Sequence, residues 1–499
     1  MKDQKNQWQK IDFLILGILL FIGFVLRIYK INIPLADLHS WRQADTAAVA
    51  RNFVKDGIDL LHPRFDDLSA NQSAAGLENP QGWRMVEFPI YNAIFAFLYK
   101  TFPQLSLVVW GRLTTIFFSL ILISIIYYLA LKEIGRVAAV SSAFVYTLFP
   151  FFVFFSRVIL PETTALSFSF LSIFFLYLSF KKENLINKKK NKEIIKTHYP
   201  LYFLAILFMS FGLLVKPTVI FYLLPPLVIF ISFFKKKVVR NPFFYLYFIL
   251  VFIPLFLWRQ YIKNYPEGIP PSDWLFTSVN TSEGLKNIFF KPAFFRWIFF
   301  ERINNLILGG YLTFFFFLGI LTKRKNFLIH SIILSMFFYL FTFQGGNVQH
   351  EYYQTIILPA IALAVGAGVD TLINKKAIFV SSLITVPVTI SVFALSLFFS
   401  YYKVKDFYYF PPELPQIALV INELTKPEDK IITDRSGDTT LLFLSERKGA
   451  PSIYKDPEQL KKIGYRYLVT TNKETIEKLK NERKYQIVFE NNYFVLFRL

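Results

Sequence analysis

What most limits the fold of this chain is a recurring pattern: apolar runs rich in Phe, Ile and Leu, each closed by a charge or a proline. A helix needs roughly 20 such residues to cross the hydrocarbon core of a bilayer. Runs of about that length lie near 11–30, 107–131, 137–155, 163–180, 200–215, 218–234, 242–258, 304–322, 327–344, 355–373 and 377–400. The reading is an α-helical polytopic membrane protein with about eleven transmembrane helices. The first run follows Lys2, Lys5 and Lys10, exceeds a signal-peptide core and lacks a small-residue cleavage site, so it is expected to stay as the first span.

The segment "PIYNAIFAFLYKTFP" (89–103) is apolar but short between its prolines, and an interfacial helix is expected there. Leaving it out of the span count puts "KKENLINKKKNK", "KKKVVR", "KRK" and "NKK" on the side of the N-terminus. That satisfies the positive-inside preference: N-terminus cytoplasmic, C-terminus outside, in a cytoplasmic (inner) membrane. The same loops account for much of the +21 net charge, so nucleic acid is not an expected partner. There is no cysteine, hence neither disulfide nor thiolate metal site.

Two regions fall outside the runs. A long first outer loop, 31–106, belongs with the membrane module 1–402. The tail 403–499 is polar and punctuated; "KPEDKIITD", "GYRYLVTTN" and "YQIVFENNYFVLFRL" alternate with helical stretches. This predicts a small extracytoplasmic α/β domain with partly parallel pairing, closing on a hairpin at Asn491 and Asn492.

Ionisable residues gather on the outer side. In "LADLHSWRQADTAAVARNF", Ser40 and Gln43 have capping-box spacing and Asp56-Gly57 supplies a stop, predicting a helix over Trp41–Lys55. Arg42 and Asp45 share a face of it; Asp37 and His39 precede it, where free N–H groups and the helix dipole favour an anion. Arg157 and Glu162 flank the turn "RVILPE", where Glu162 either serves chemistry or starts the next helix and pairs with Arg157. Lys216 in "LLVKPT" suits an anionic ligand at the bilayer surface, or snorkels. His350, Glu351, Tyr352 and Tyr353 occupy a short loop, and Arg296, Glu301 and Arg302 lie in an aromatic, basic segment. The spans themselves carry little mid-span charge, which disfavours a transporter.

With these features in place, the layout resembles the GT-C superfamily of polytopic glycosyltransferases, in particular the protein O-mannosyltransferase and aminoarabinose transferase branch. The resemblance covers the whole chain. It implies an enzyme that transfers a sugar from a polyprenyl-phosphate donor to an acceptor hydroxyl on protein, lipid or glycan at the outer membrane face, with inversion. It makes Asp37 the first and Asp45 the second choice of catalytic carboxylate, with Glu162 as the acidic element of the second loop. Lys216 matches the family's phosphate-holding turn, with Arg42 and Arg302 completing a clamp. His39, Glu87, Arg157, His350, Glu351 and Tyr352 are the substrate- and acceptor-binding candidates. Glu87, in "EFPIYN", stands where the aminoarabinose branch has a basic element, which argues against transferring that activity directly. No cofactor and no metal site are expected, since a carrier monophosphate does not demand a divalent ion. The alternatives are an oligosaccharide polymerase or ligase with a lipid-diphosphate donor, and a non-catalytic glycolipid transporter or scaffold.

Overall fold

In a computed structural model that describes residues 8–187, 190–276, 292–323, 326–374 and 381–499, helices occupy most of the described part of each apolar run. α1 (Lys10–Arg27) leads into a loop segment carrying α2 (Ser40–Asp56) and α3 (Ile90–Thr101). Then come α4 (Leu107–Glu133), α5 (Arg136–Leu148), α6 (Pro150–Phe155) and α7 (Glu162–Ser179). An antiparallel hairpin of β1 (Phe180–Asn187) and β2 (Lys190–Thr197) joins α7 to α8 (Tyr199–Val215). A 3-10 stretch, Pro217–Leu223, precedes α9 (Leu224–Phe234), and α10 (Pro242–Tyr261) follows. A short α11 (Pro292–Phe295) runs into π-helical Arg296–Ile307, and then come α12 (Thr313–Leu321), α13 (Leu328–Thr342), α14 (Gln344–Gln349), α15 (Leu358–Asn374) and α16 (Ser382–Val404).

Among the described residues, six helical stretches are long and apolar enough to cross a membrane, and α5, α8 and α13 are shorter apolar helices. α3 has 12 residues, about 18 Å at the α-helical rise, and falls well short of a bilayer core. The runs 137–155 and 304–322 are each broken, not single helices. Phe149 is extended because Pro150 follows it. Gly309 and Gly310 take positive φ at 59° and 86° between the π-helical turn and α12.

α15 is the hub. Its most apolar window is 94% buried, against 17% for the α10 stretch, which faces outward. Lipid supplies no hydrophobic drive between helices, so close backbone approach through small residues holds the bundle. A Cβ on Gly366 would lie 2.6 Å from the Ala138 carbonyl of α5, and Gly368 abuts the Phe315 carbonyl of α12, whose own Gly319 abuts that of Ala364. Arg27, fully buried, closes the end of α5 by donating to the carbonyls of Tyr146 and Thr147 at 2.7 and 3.0 Å.

The C-terminal region is the small α/β domain. It comprises α17 (Glu413–Leu424), β3 (Lys430–Ile432), α18 (Thr440–Leu444), β4 (Gly449–Ala450), α19 (Pro457–Lys462), β5 (Tyr465–Thr470), α20 (Lys473–Glu482), β6 (Gln486–Glu490) and β7 (Val495–Arg498). The strand order is β4-β3-β5-β7-β6, parallel around β3 and antiparallel around β7. Its closing hairpin turns on Asn491, whose Oδ1 accepts from the N–H groups of Tyr493 and Phe494. The loop between α2 and α3 extends this sheet. Leu68 N–H donates to the Gly449 carbonyl at 2.7 Å, and Gly449 N–H donates to that of Asp66 at 2.9 Å.

Candidate active site

α2 is the element from which the site is built. It begins one residue earlier than the sequence predicts and ends one later, but not through a capping box. His39 occupies the N-cap with φ 57°, in the left-handed region, and offers no side-chain cap. Ser40 instead meets the Thr440 hydroxyl at 2.8 Å. The Gln43 amide donates to Asp37 Oδ1 at 2.7 Å and to the Leu38 carbonyl at 3.0 Å, and its oxygen accepts from Ile159 N–H at 3.1 Å. The tertiary partners of Gln43 outcompete the local reciprocal bond.

Asp37 is enclosed, at 2% exposure. Its Oδ2 lies 3.7 Å from Arg112 and 4.0 Å from Arg157. Arg112 also donates to the carbonyls of Ile31 and Ile33 at 2.7 Å each, and Arg157 to that of Lys30 at 3.2 Å, with its guanidinium over the Tyr408 ring. Asp37 therefore answers to side chains, not to the N-terminus of α2. Arg157 faces Asp37, and the Arg157–Glu162 pairing is replaced by a contact of Glu162 with Lys216.

That second contact belongs to a chain of alternating charge. Arg42 pairs with Glu87 Oε1, which also accepts from Lys216 Nζ at 2.9 Å. Lys216 Nζ in turn stands 2.8 Å from Glu162 Oε1. Each member has a structural reason for its place: Arg42 lies in the first turn of α2, and Glu87 lies in the approach to α3. Glu162 begins α7 after Pro161, where the helix dipole favours an acid. Lys216 leaves the end of α8 in extended backbone, imposed by Pro217. Burial alone would raise the Glu87 pKa, but Arg42 and then Lys216 outweigh it and hold it well below the carboxylate range. Burial would lower that of Lys216; Glu162 and Glu87 reverse this and keep it charged.

One turn along α2, Asp45 is 1% exposed. Its Oδ1 accepts from the Thr439 hydroxyl at 2.7 Å, and Arg84 Nη2 lies 3.0 Å from Oδ2. Burial raises its pKa, with Arg84 and Arg42 opposing. Arg42, Asp45, Arg84 and Glu87 line a cavity of about 20 Å³, with Tyr91, Asn92 and Pro161 among its other walls. A volume near one solvent molecule means that any larger ligand enters by displacing side chains.

Arg302 has its ion-pair partner outside the Arg42–Glu87–Lys216–Glu162 chain. It pairs with Glu351, which holds His39 Nε2 at 2.9 Å. Around His39 stand His350 and Tyr352, with ring centroids at 5.5 and 5.1 Å, and Trp41 lies 5.6 Å from His350. The Tyr353 ring lies 5.8 Å from Lys216 Nζ and so links this aromatic group to the charge chain. Burial, and then His39, bring the His350 pKa down to about 4. Sequence reasoning missed Arg84, Arg112 and Thr439. Arg112 was visible as a lone arginine at the head of an apolar run; Thr439, nearly 400 residues from Asp45, gave no signal. Among the described residues no group of three or more His, Asp or Glu is arranged to hold a metal ion.

No protein-family model matches the sequence, and no curated protein matches it. Solved structures do. ArnT from Cupriavidus metallidurans, bound to undecaprenyl phosphate, superposes with TM-score 0.63 and 13% identity over 97% of both chains. The archaeal oligosaccharyltransferase AglB from Archaeoglobus fulgidus, in complex with an inhibitory peptide and a dolichol-phosphate, matches with TM-score 0.57 and 12% identity, over 92% of this chain and 69% of its own. At such identities the likeness is one of architecture, and it agrees with the resemblance read from the sequence: this chain has the GT-C fold, shared with ArnT and AglB.

Proposed function

We propose that this protein is a membrane glycosyltransferase that takes a sugar from a polyprenyl-phosphate carrier and transfers it, with inversion, to an acceptor hydroxyl. The reaction face is the outer side of the cytoplasmic membrane, with the N-terminus in the cytoplasm and the α/β domain outside. The observation that carries this reading is the Arg42–Glu87–Lys216–Glu162 chain: two buried cations, tied by side chains alone, beside a cavity onto which Asp45 opens. The lipid phosphates bound to ArnT and AglB support it.

In this reading Arg42 and Lys216 take over the oxygens of the carrier phosphate as Glu87 gives way, and Glu162 keeps Lys216 aimed. The acceptor oxygen attacks the anomeric carbon while the bond to the carrier oxygen breaks, its electron pair leaving on the phosphate. Asp45 receives the hydroxyl proton. A carboxylate suffices because that hydroxyl becomes acidic only as the new bond forms, so placement matters more than a high pKa. The cations, already in place, meet the charge that develops on the leaving phosphate. Asp37 is given a scaffolding role because Gln43, Arg112 and Arg157 enclose it. His39, His350, Glu351, Tyr352 and Arg302 bound the acceptor side. Two side-chain cations match a monophosphate, and the reading assigns no step to a metal ion.

The test is to incubate purified protein with a panel of polyprenyl-phosphate sugars and follow released polyprenyl phosphate by mass spectrometry. Wild type is expected to consume at least one donor, and Asp45→Asn and Lys216→Met to lose that activity while remaining folded. Folded wild-type protein that consumes none of them sinks the reading. The likeness to an oligosaccharyltransferase favours a second reading, a lipid-diphosphate-linked oligosaccharide donor, which the same assay addresses by including such donors.

A further inference from the structure

The C-terminal domain meets α2 along a full side. At one end the Thr440 hydroxyl donates to Ser40 at 2.8 Å. At the other, Arg51 donates to the Phe443 carbonyl at 2.7 Å, lies 4.6 Å over the Phe443 ring and pairs with Asp66. Between them Thr439, itself 2% exposed, donates its hydroxyl to Asp45 Oδ1 at 2.7 Å and lies 3.1 Å from the Trp41 carbonyl. We infer that Thr439 is a positioning residue contributed by the C-terminal domain: it fixes one oxygen of Asp45 so that the other is presented to the cavity beside Arg84. The inference rests on the role given to Asp45 above. It makes the external domain part of the reaction site, in place of a cover or a tether.

The geometry leaves little slack. Arg84 alone would draw both Asp45 oxygens into a forked pair. The hydroxyl, held at the start of α18, opposes that rotation and is an uncharged donor to a buried carboxylate. The other charged groups facing Asp45 are Arg42 on its own helix and Asp66 and Asp67 on the loop that carries Arg84. Asp66 opposes its ionisation, so the remaining donor matters more. Without the hydroxyl, the carboxylate is harder to ionise and less well aimed.

The test uses the full-length protein and the donor found in the transfer assay. Thr439→Val is expected to lower kcat about tenfold or more, the weight of one hydrogen bond to a charged group, with KM unchanged. The acidic limb of the pH profile should move to higher pH, and Thr439→Ser should restore both. A domain contact that only supports the fold would lower the melting temperature and the yield of active protein, leaving kcat per folded molecule and the pH limb in place. That result overturns the inference. Asp45→Asn separates it from the reading beneath: if that variant is inactive while folded Thr439→Val behaves as wild type, only the role of Thr439 falls. If Asp45→Asn stays active, the role of Asp45 falls and the inference with it.

Discussion

Arg112 and Arg157, on either side of Asp37, bind backbone carbonyls of residues 30–33 as well as that carboxylate. Arg42, in the first turn of α2, and Lys216, at the end of α8, are tied to carboxylate side chains. The first arrangement welds the end of α1 to α4 and to the turn after α6, and it cannot shift without stripping peptide groups of their partners. In the second, a change of rotamer is enough to exchange one anion for another. What separates the two arrangements is whether the partners of the buried cations include backbone or are side chains alone.

The largest effect expected from this contrast is on stability. Arg112→Ala takes from Asp37 the nearer of its two cations and frees two carbonyls, and should cost about 3–5 kcal/mol, read as a sharp loss of melting temperature in detergent. Asp37→Asn should behave in the same direction with kcat per folded molecule retained. A stable but inactive Asp37→Asn would break the comparison and move Asp37 into the chemistry.

Next in size is the effect on turnover. Lys216→Met should reduce transfer by about 10²-fold or more, and it also destabilises because it leaves Glu162 without its cation. Adding Glu162→Gln should recover much of the lost melting temperature and none of the activity. Recovery of both would show that the pair is scaffold, the role proposed for Asp37.

A smaller effect is expected at Glu87. Glu87→Gln leaves Arg42 and Lys216 without their shared carboxylate, so inhibition by released polyprenyl phosphate should tighten about tenfold, the equivalent of about 1.4 kcal/mol. Unchanged inhibition would mean that phosphate does not compete with Glu87.

The smallest concerns pH. His350 keeps a folded-state pKa of about 4 against an ordinary 6.5, burial being the main cause. The unfolded chain takes up this proton first, so the stability that depends on neutral His350 is intact above about pH 6.5 and drains away as the pH falls towards 4. His350→Gln should flatten the melting temperature against pH over that window. Asp37-cluster variants should keep the wild-type slope.

Much of the architecture was legible because it rests on local pattern. Apolar runs announce helices, Pro161 and Pro217 fix the chain direction beside Glu162 and Lys216, and the alternation after residue 403 signals the α/β domain. α2 was legible from its alanines and Asp56-Gly57, although the supposed cap was not, since Gln43 turns to Asp37 and Ile159. What could not be read was pairing. Asp37 and Lys216 are each a charge close to the end of a span, and only three-dimensional neighbours show what they pair with. Glu87 read as a departure from a basic motif; in the fold it is the carboxylate that Arg42 and Lys216 share. Arg302 read as a clamp residue, but in the fold its carboxylate partner is Glu351.

The hydrogen bonds between Leu68, Asp66 and Gly449 have a practical consequence for cutting the chain. Residue 403 begins a domain by composition, yet the sheet it contributes is completed by residues more than 300 positions earlier. A polypeptide ending at 402 would leave the loop strand without its partner. The isolated C-terminal domain would expose the β4 edge, an open template for another copy. The two halves should be stably folded, the first in membranes or detergent, only when made together, and coexpression of the fragments should rescue what each lacks alone.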